Sequence, residues 1–118
     1  MRIVNRTRGT VLAERTVIAE TPDARRRGLL GTDSLGDGAG ILILPCRQVH
    51  TFGMRYPIDV IFIDDSWKVK RIACRMKPRR LSPIVPASRA VLELPAAKAE
   101  ESGTRVGDIL AAVPLCRR

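Results

Sequence analysis

The chain has 118 residues with a net charge of +9, and apolar residues make up 45% of it. This length fits one domain, residues 1–118, and the apolar fraction is ordinary for a globular protein. The sequence contains neither the run of about 20 apolar residues that a membrane span needs nor a signal-peptide pattern, so we expect no membrane span and a cytoplasmic location.

Prolines and glycines cut the chain into short segments, which predicts many short strands. In chain order, the predicted elements are strands at 2–5 and 10–13, the latter extended by 16–20; a helix at 22–27; strands at 41–44, 49–52, 59–63, 67–76 and 90–94; a helix at 96–102; and a strand at 109–113. They predict a mainly β (α+β) fold, a curled or barrel-like, mostly antiparallel sheet with the two short helices at its rim.

Two elements carry the clearest local signals. Thr21 suits the cap of the first helix, and the proline after it suits the first helical position. The apolar run 59–63 predicts a strand covered on both faces, and the alternating run 67–76 pairs with it as a hairpin. In that alternation Cys74 is expected to be a small core residue.

The cysteine and histidine content argues against a metal centre. Cys46, Cys74 and Cys116 are widely spaced and form no CxxC pair, and the sequence has one histidine. We therefore predict no metal, no cofactor and reduced thiols. Phosphate-loop, GxSxG and HExxH motifs are also absent from the sequence.

The segment 50–59, HTFGMRYPID, concentrates residue types that carry chemistry. His50 is a residue type suited to acid–base work near neutral pH, and Asp59 lies at the start of a strand. Two interpretations remain open at this point. The pair is either an acid–base pair or ligand clamp at the mouth of the sheet, or a hydrogen-bonded histidine bracing a loop with Asp59 capping backbone amides.

Three further features have both a functional and a structural interpretation. Consecutive arginines at 25–27 point in different directions on a helix, so at most one or two can reach a common site. The structural interpretation is that they stabilise the C-terminal end of the helix. Glu93 lies in an apolar strand, where alternation favours solvent exposure; a buried Glu93 would need a partner such as arginine. Residues 68–80 contain seven basic and no acidic residues, but only Trp67 is close enough to supply a stacking aromatic.

Several blocks together resemble the family of domain of unknown function 192, a prokaryotic family. They span about residues 21–110 and are ARRRGLL at 24–30, SL at 34–35, GILI at 40–43, HTFGMRYPIDVIFID at 50–64, VLELPA at 91–96, Gly103 and Gly107-Asp108. The resemblance implies a compact, mainly β, barrel-like domain and no established activity. Its recurrent polar positions would correspond to Arg27, His50, Thr51, Met54, Asp59, Glu93 and Asp108. Ala97 stands where a glycine often follows the PA pair, so the turn after Glu93 is expected to differ.

Three functions are compatible with these residues. The first is a binding module whose cleft, edged by Arg27, His50, Arg55 and Asp59, holds a small polar or anionic ligand or a peptide. The second is an acid–base enzyme, hydrolase-like, that uses His50 with Asp59 or Glu93 as catalytic residues. The third is a nucleic-acid or acidic-surface binder through residues 68–80, which rests on charge alone.

Overall fold

The computed structural model describes residues 1–114, which form eight strands and two short helices. The strands are β1 (Arg2–Asn5), β2 (Thr10–Ala13), β3 (Arg15–Ala19), β4 (Ala39–Ile43), β5 (Ile58–Ile63), β6 (Val69–Met76), β7 (Ala90–Pro95) and β8 (Leu110–Val113). The helices are α1 (Pro22–Arg27) and α2 (Lys98–Glu101). No helix in this part of the chain is long and apolar enough to cross a membrane. Cys116 lies outside the described residues.

The strands form two sheets. A three-stranded antiparallel sheet has the order β2-β1-β8, and a five-stranded sheet has the order β3-β4-β7-β5-β6. Every pair in the larger sheet is antiparallel except β3 with β4. The mainly β fold with two short helices is therefore confirmed. Within residues 1–114 we find two sheets and no closed barrel.

The larger sheet is covered on both faces, which explains its apolar strands. On one face, Leu42, Ile61 and Leu92 pack with Leu12 of the smaller sheet. On the other, Ile43, Phe62 and Val91 pack with side chains of the connection between β3 and β4, including Leu29. All six residues of β5 are buried, as expected for a strand enclosed by two layers.

Residues 15–19 are a separate strand rather than an extension of β2. Glu14 interrupts the β2 pattern, and its amide and that of Arg15 both donate to the carbonyl of Gly38. The chain thereby leaves the smaller sheet and joins β4 of the larger sheet in parallel. Because parallel neighbours need a crossover, the chain between them crosses one sheet face, and α1 lies in this crossover.

Helix α1 begins and ends as its sequence predicts. The Thr21 hydroxyl accepts a hydrogen bond from the amide of Ala24 at 3.1 Å. Gly28 ends the helix with φ of 46°, a backbone conformation that favours glycine. The helix is therefore only six residues long.

The β5–β6 hairpin departs from simple alternation. Its register shifts between Ile58 and Val60, and Arg75 on the facing strand has φ of 49°. This irregularity turns the Arg75 amide onto the Asp59 carboxylate, 2.8 Å away. Cys74 is exposed as a result, so its prediction as a core residue was wrong.

Residues 49–52 do not form the predicted strand. His50 makes one isolated antiparallel bridge to Leu81, and the neighbouring amides bond to loop residues. The side chain of Ser82 accepts from the Val49 amide at 3.0 Å. Loop-to-loop bonds thus hold this segment in place without a regular strand partner.

Candidate functional site

A cavity of about 400 Å³ lies between α1 and the residues just before and after His50. Its base is the face of the larger sheet that the crossover covers, represented by Ile43 and Glu93. Its walls combine basic and apolar side chains. The lining residues are 25–30, 43, 45–50, 54 and 93.

Glu93 is the acidic residue that lines this cavity. It lies on β7, paired with Ile41 of β4 on one side and Val60 of β5 on the other. The residue is only 5% exposed. Within residues 1–114, its carboxylate receives no hydrogen bond and has no ion-pair partner within 4.0 Å. The expected solvent-facing position was therefore wrong, and the alternative of a buried residue with an arginine partner is not found either.

Burial changes the pKa of the Glu93 carboxyl group. Loss of solvation raises the pKa of its carboxyl group from 4.5 to about 7. Among residues 1–114, no neighbouring cation or hydrogen-bond donor counteracts this rise. The carboxyl group therefore exchanges its proton close to neutral pH.

Gly28 keeps the carboxylate uncovered. A Cβ atom at this position would lie 3.7 Å from Oε1 of Glu93 and 3.9 Å from Cδ1 of Ile43. A Cβ atom would therefore occupy the space directly beside the acid. The glycine that ends α1 thus also leaves the base of the cavity open.

Arginines surround the cavity. Arg25, Arg26 and Arg27 reach it from α1, and Arg47 reaches it from the opposite segment. Arg26 lies 3.8 Å from Asp23, whereas the other three have no acidic partner within 4.0 Å among residues 1–114. The Nε of Arg25 is buried without a hydrogen-bond partner there, while its Nη1 donates to the Pro45 carbonyl at 3.2 Å.

Cys46 lies near both charged groups. Burial is the largest effect and raises the pKa of its thiol; a backbone hydrogen bond at Gln48 lowers the pKa, the negative charge of Glu93 raises it and Arg25 lowers it, with a net rise. The thiol donates a hydrogen bond to the Gln48 carbonyl at 3.2 Å. These effects favour the neutral thiol over the reactive thiolate.

His50 and Met54 are the other predicted site residues that line the cavity besides Arg27 and Glu93. The imidazole is exposed and stacks on Phe52, with 5.7 Å between ring centroids. It makes no side-chain hydrogen bond within the described part of the chain, so it does not brace the loop through its ring. Met54 contributes an apolar wall.

Asp59 is directed away from this cavity. It is opposite Leu94, the residue after Glu93, so the pleat directs the two carboxylates to opposite faces of the sheet. Asp59 is 0% exposed and accepts backbone hydrogen bonds from Arg75, Ala97 and Ala99 at 2.8, 3.1 and 2.8 Å. The structure thus shows the capping arrangement, and no common site of His50, Asp59 and Glu93.

Three other predicted site residues also lie outside the cavity lining. Thr51 is buried, and its hydroxyl accepts from the Arg80 amide at 2.9 Å. Asp108 is buried and binds Arg8 and Asn5, each at 3.0 Å. Arg55 is exposed and forms an ion pair with Asp33. Thr51 and Asp108 therefore hold loop segments in place, whereas Arg55 forms a surface ion pair.

Sequence reasoning did not assign Arg25, Cys46 and Arg47 to the same cavity as Glu93. Residues 45–49 immediately precede His50 in the chain, and this proximity was the available signal. For the arginines at 25–27 the sequence left open whether one or two reach a common site or all stabilise the helix end, and it did not single out Arg25. Its position on the cavity side depends on how α1 packs, which the helix sequence alone does not specify.

The cavity lining contains more groups suited to binding than to catalysis. Arginines supply donors for an anionic group, and apolar side chains exclude water around it. Glu93 can accept a hydrogen bond or exchange a proton. The described lining includes Cys46 as a nucleophile type, but its surroundings favour the protonated thiol.

Comparison with known proteins gives consistent results. The model of the family DUF192, described as an uncharacterized ACR, matches residues 3–112. A UPF0127 protein from Thermococcus sibiricus (strain DSM 12597 / MM 739) is 32% identical over 111 residues, covering 90% of this chain and 71% of the relative.

Two crystal structures have a similar fold. A protein of unknown function from Novosphingobium aromaticivorans has a TM-score of 0.83 and 26% identity, with 95% of this chain and 84% of that chain covered. A protein from Sinorhizobium meliloti 1021, described as a "putative transcription regulator", has a TM-score of 0.74 and 21% identity, with 93% and 89% covered. Because the family model spans nearly the whole chain and the archaeal relative agrees with it, this chain belongs to the DUF192 family.

Proposed function

We propose that this protein is a small binding module that holds a compact anionic ligand in the cavity between α1 and residues 45–50. The observation that carries the proposal is the set of Arg25, Arg27 and Arg47 around a cavity of about 400 Å³, without acidic partners among the described residues. Guanidinium groups bind carboxylate and phosphate through paired, charge-assisted hydrogen bonds. The apolar wall strengthens these bonds by reducing access of water.

The charge pattern elsewhere favours this cavity over the basic segment 68–80. Lys70 already pairs with Asp64 at 3.3 Å, and Arg75 pairs with Glu100 at 3.2 Å. Trp67 is half-buried and packs against the core, so its ring is less free to stack on a base. Binding of nucleic acid would therefore depend on a surface that is partly neutralised.

The test is a thermal-shift and calorimetric titration with inorganic phosphate and short fatty-acid anions. A bound ligand at 100 times its Kd stabilises the folded state by about 2.7 kcal/mol, which raises Tm by several degrees. We expect this rise in the natural protein and its loss in Arg47→Gln. The matched control is Arg55→Gln, since Arg55 is an exposed arginine outside the cavity.

The proposal fails if no anion of this set binds. It also fails if Arg47→Gln and Arg55→Gln reduce the affinity equally, because the effect would then come from net charge.

A second candidate is acid–base catalysis by His50 with Glu93. It is supported by the presence of both side chains at one cavity and by the pKa of Glu93 of about 7, a value suited to general acid–base work. Turnover of a panel of nitrophenyl esters and phosphates would be measured in the natural protein, His50→Gln and Glu93→Gln. Activity that survives both substitutions would exclude this pair as catalysts.

A further inference from the structure

The starting point is an acid without a partner at the base of the proposed ligand cavity. Glu93 is 5% exposed and lies between Ile41 and Val60, so apolar side chains flank it on both neighbouring strands. Burying a carboxylate is costly unless a cation or several donors compensate it. Within residues 1–114 neither is present, whereas Asp59 on the opposite face has three backbone donors.

The arginines around the cavity do not supply the missing partner. None of them lies within 4.0 Å of the Glu93 carboxylate, and the Nε of Arg25 is itself buried without an acceptor. Groups of opposite sign thus face one cavity while remaining unpaired with each other. Cys46 lies close enough to both to experience their charges.

A single ligand would satisfy both groups if it carried two charges. Its anionic group would accept hydrogen bonds from the arginines, and its cationic donor would bind Glu93. Leu29, Leu30 and Met54 offer an apolar wall for the carbon chain that links the two ends.

We infer that the cavity binds a zwitterion, a compact molecule with a carboxylate at one end, a protonated amine at the other and an aliphatic spacer. The inference rests on the proposed function and specifies the ligand class for the same site. It assigns anion binding to the arginines and selection of the amine to Glu93. Amino acids and the termini of short peptides share this chemistry.

The experiment uses three matched probe series in isothermal titration calorimetry at pH 8. The first is ω-amino acids from 3-aminopropanoate to 6-aminohexanoate, which vary the distance between the charges. The second is the corresponding fatty acids without the amine, and the third is alkylamines without the carboxylate. Dialanine then distinguishes a peptide from a free amino acid.

Each protein variant tests recognition of one end of the ligand. Glu93→Gln keeps the shape of the side chain and removes its charge, and Arg47→Gln weakens the anionic end. Glu101→Gln is the control, because Glu101 is an exposed glutamate outside the cavity lining.

We expect the best ω-amino acid to bind the natural protein at least about tenfold more tightly than its fatty acid, as one charge-assisted hydrogen bond in a buried site would provide. Glu93→Gln should abolish this preference and leave fatty-acid affinity within about twofold. Glu101→Gln should preserve the preference. Tighter binding of dialanine than of any ω-amino acid would identify the peptide form of the zwitterion.

Equal affinity for amino and fatty acids, or a preference that persists in Glu93→Gln, would overturn the inference and leave the proposed function in place. If phosphate binds but no carboxylate does, the inference alone is overturned. If neither phosphate nor any carboxylate binds, or if binding is insensitive to Arg47→Gln, the proposed function fails together with the inference.

Discussion

Two buried carboxylates on one sheet have opposite surroundings. Asp59 receives three backbone hydrogen bonds, whereas Glu93 receives none within the described residues. Sequence alone does not distinguish them, since both lie in apolar strands. The difference arises from the pleat, which places Asp59 beside α2 and Glu93 beneath α1.

The raised pKa of Glu93 predicts a pH-dependent stability. Since the folded value of about 7 exceeds the ordinary value of 4.5, the carboxyl group stabilises the fold fully below pH 4.5 and loses this effect as pH rises through 7. The loss amounts to about 3 kcal/mol of unfolding free energy. Glu93→Gln should remove this fall, so the variant should be the more stable form at pH 8.

Urea unfolding between pH 4 and 8 measures this effect. Glu100→Gln, a substitution at an exposed glutamate, serves as the control and should keep the natural profile. Parallel pH profiles for the natural protein and Glu93→Gln would contradict the assigned burial effect.

Asp59 is predicted to be a structural residue. Asp59→Ala leaves the amides of Arg75, Ala97 and Ala99 without their acceptor, which should lower the unfolding free energy by about 3 kcal/mol or more. Asp65→Ala, at an exposed aspartate in the β5–β6 turn, should change it by less than about 0.5 kcal/mol. Urea denaturation of both variants tests this, and similar losses would refute the capping role.

At the scale of the elements, the start of α2 carries local strain. Ala97 has φ of 79°, a left-handed conformation that costs a residue with a Cβ about 1–2 kcal/mol. The sequence resemblance marked this position as one where glycine is common. The backbone conformation gives that observation a physical reason.

Ala97→Gly should therefore stabilise the protein by about 0.5–1 kcal/mol, despite the greater freedom of glycine in the unfolded chain. Ala96→Gly is the matched control, because Ala96 is not among the residues with positive φ, and it should destabilise. Thermal unfolding of the two variants gives the comparison. A lower Tm for Ala97→Gly than for the natural protein would show that strain is not the dominant effect.

Element prediction succeeded where the local signal was sufficient. Thr21 and Gly28 defined α1, and the apolar run of β5 with the turn after it defined a hairpin. The prediction failed where hydrogen-bond partners far away in the sequence determine the local structure. An example is residues 49–52, whose amides bond to loops instead of a strand. The parallel pairing of β3 with β4 also depends on a crossover that no local pattern reveals.

At the scale of the whole molecule, the two sheets share one core. One apolar cluster contains side chains from both sheets. The smaller sheet contributes Ile3, Leu12 and Leu110, and the larger sheet contributes Leu42 and Leu92. We therefore expect the sheets to unfold together. A shared core of this kind is typical of a single cooperative unit.

Leu12→Ala and Leu92→Ala test this expectation from the two sides of the core. Each should lower the unfolding free energy by about 2–5 kcal/mol and keep a single transition. Far-ultraviolet circular dichroism and Trp67 fluorescence should give coincident curves, because Trp67 packs against the shared cluster. Separate transitions for the two probes would contradict a single unit.

The candidate site was predicted in part. Four of the predicted site residues line one cavity, namely Arg27, His50, Met54 and Glu93. The other four do not line it: Thr51, Arg55, Asp59 and Asp108. Residue type identified groups able to bind a ligand, but it did not show which of them are already satisfied by the backbone. That distinction depends on the face of each strand and on the loops that cover it.

The parallel alignment of β3 and β4 separates the strand framework of the protein from the shape of its cavity. The connection from residue 20 to residue 38 supplies one wall of the cavity without contributing a strand to either sheet. Its length and side chains could therefore change while the strand order stays the same. Replacing this connection while keeping its core contacts, such as Leu29, would be a direct way to engineer a wider, narrower or differently charged cavity.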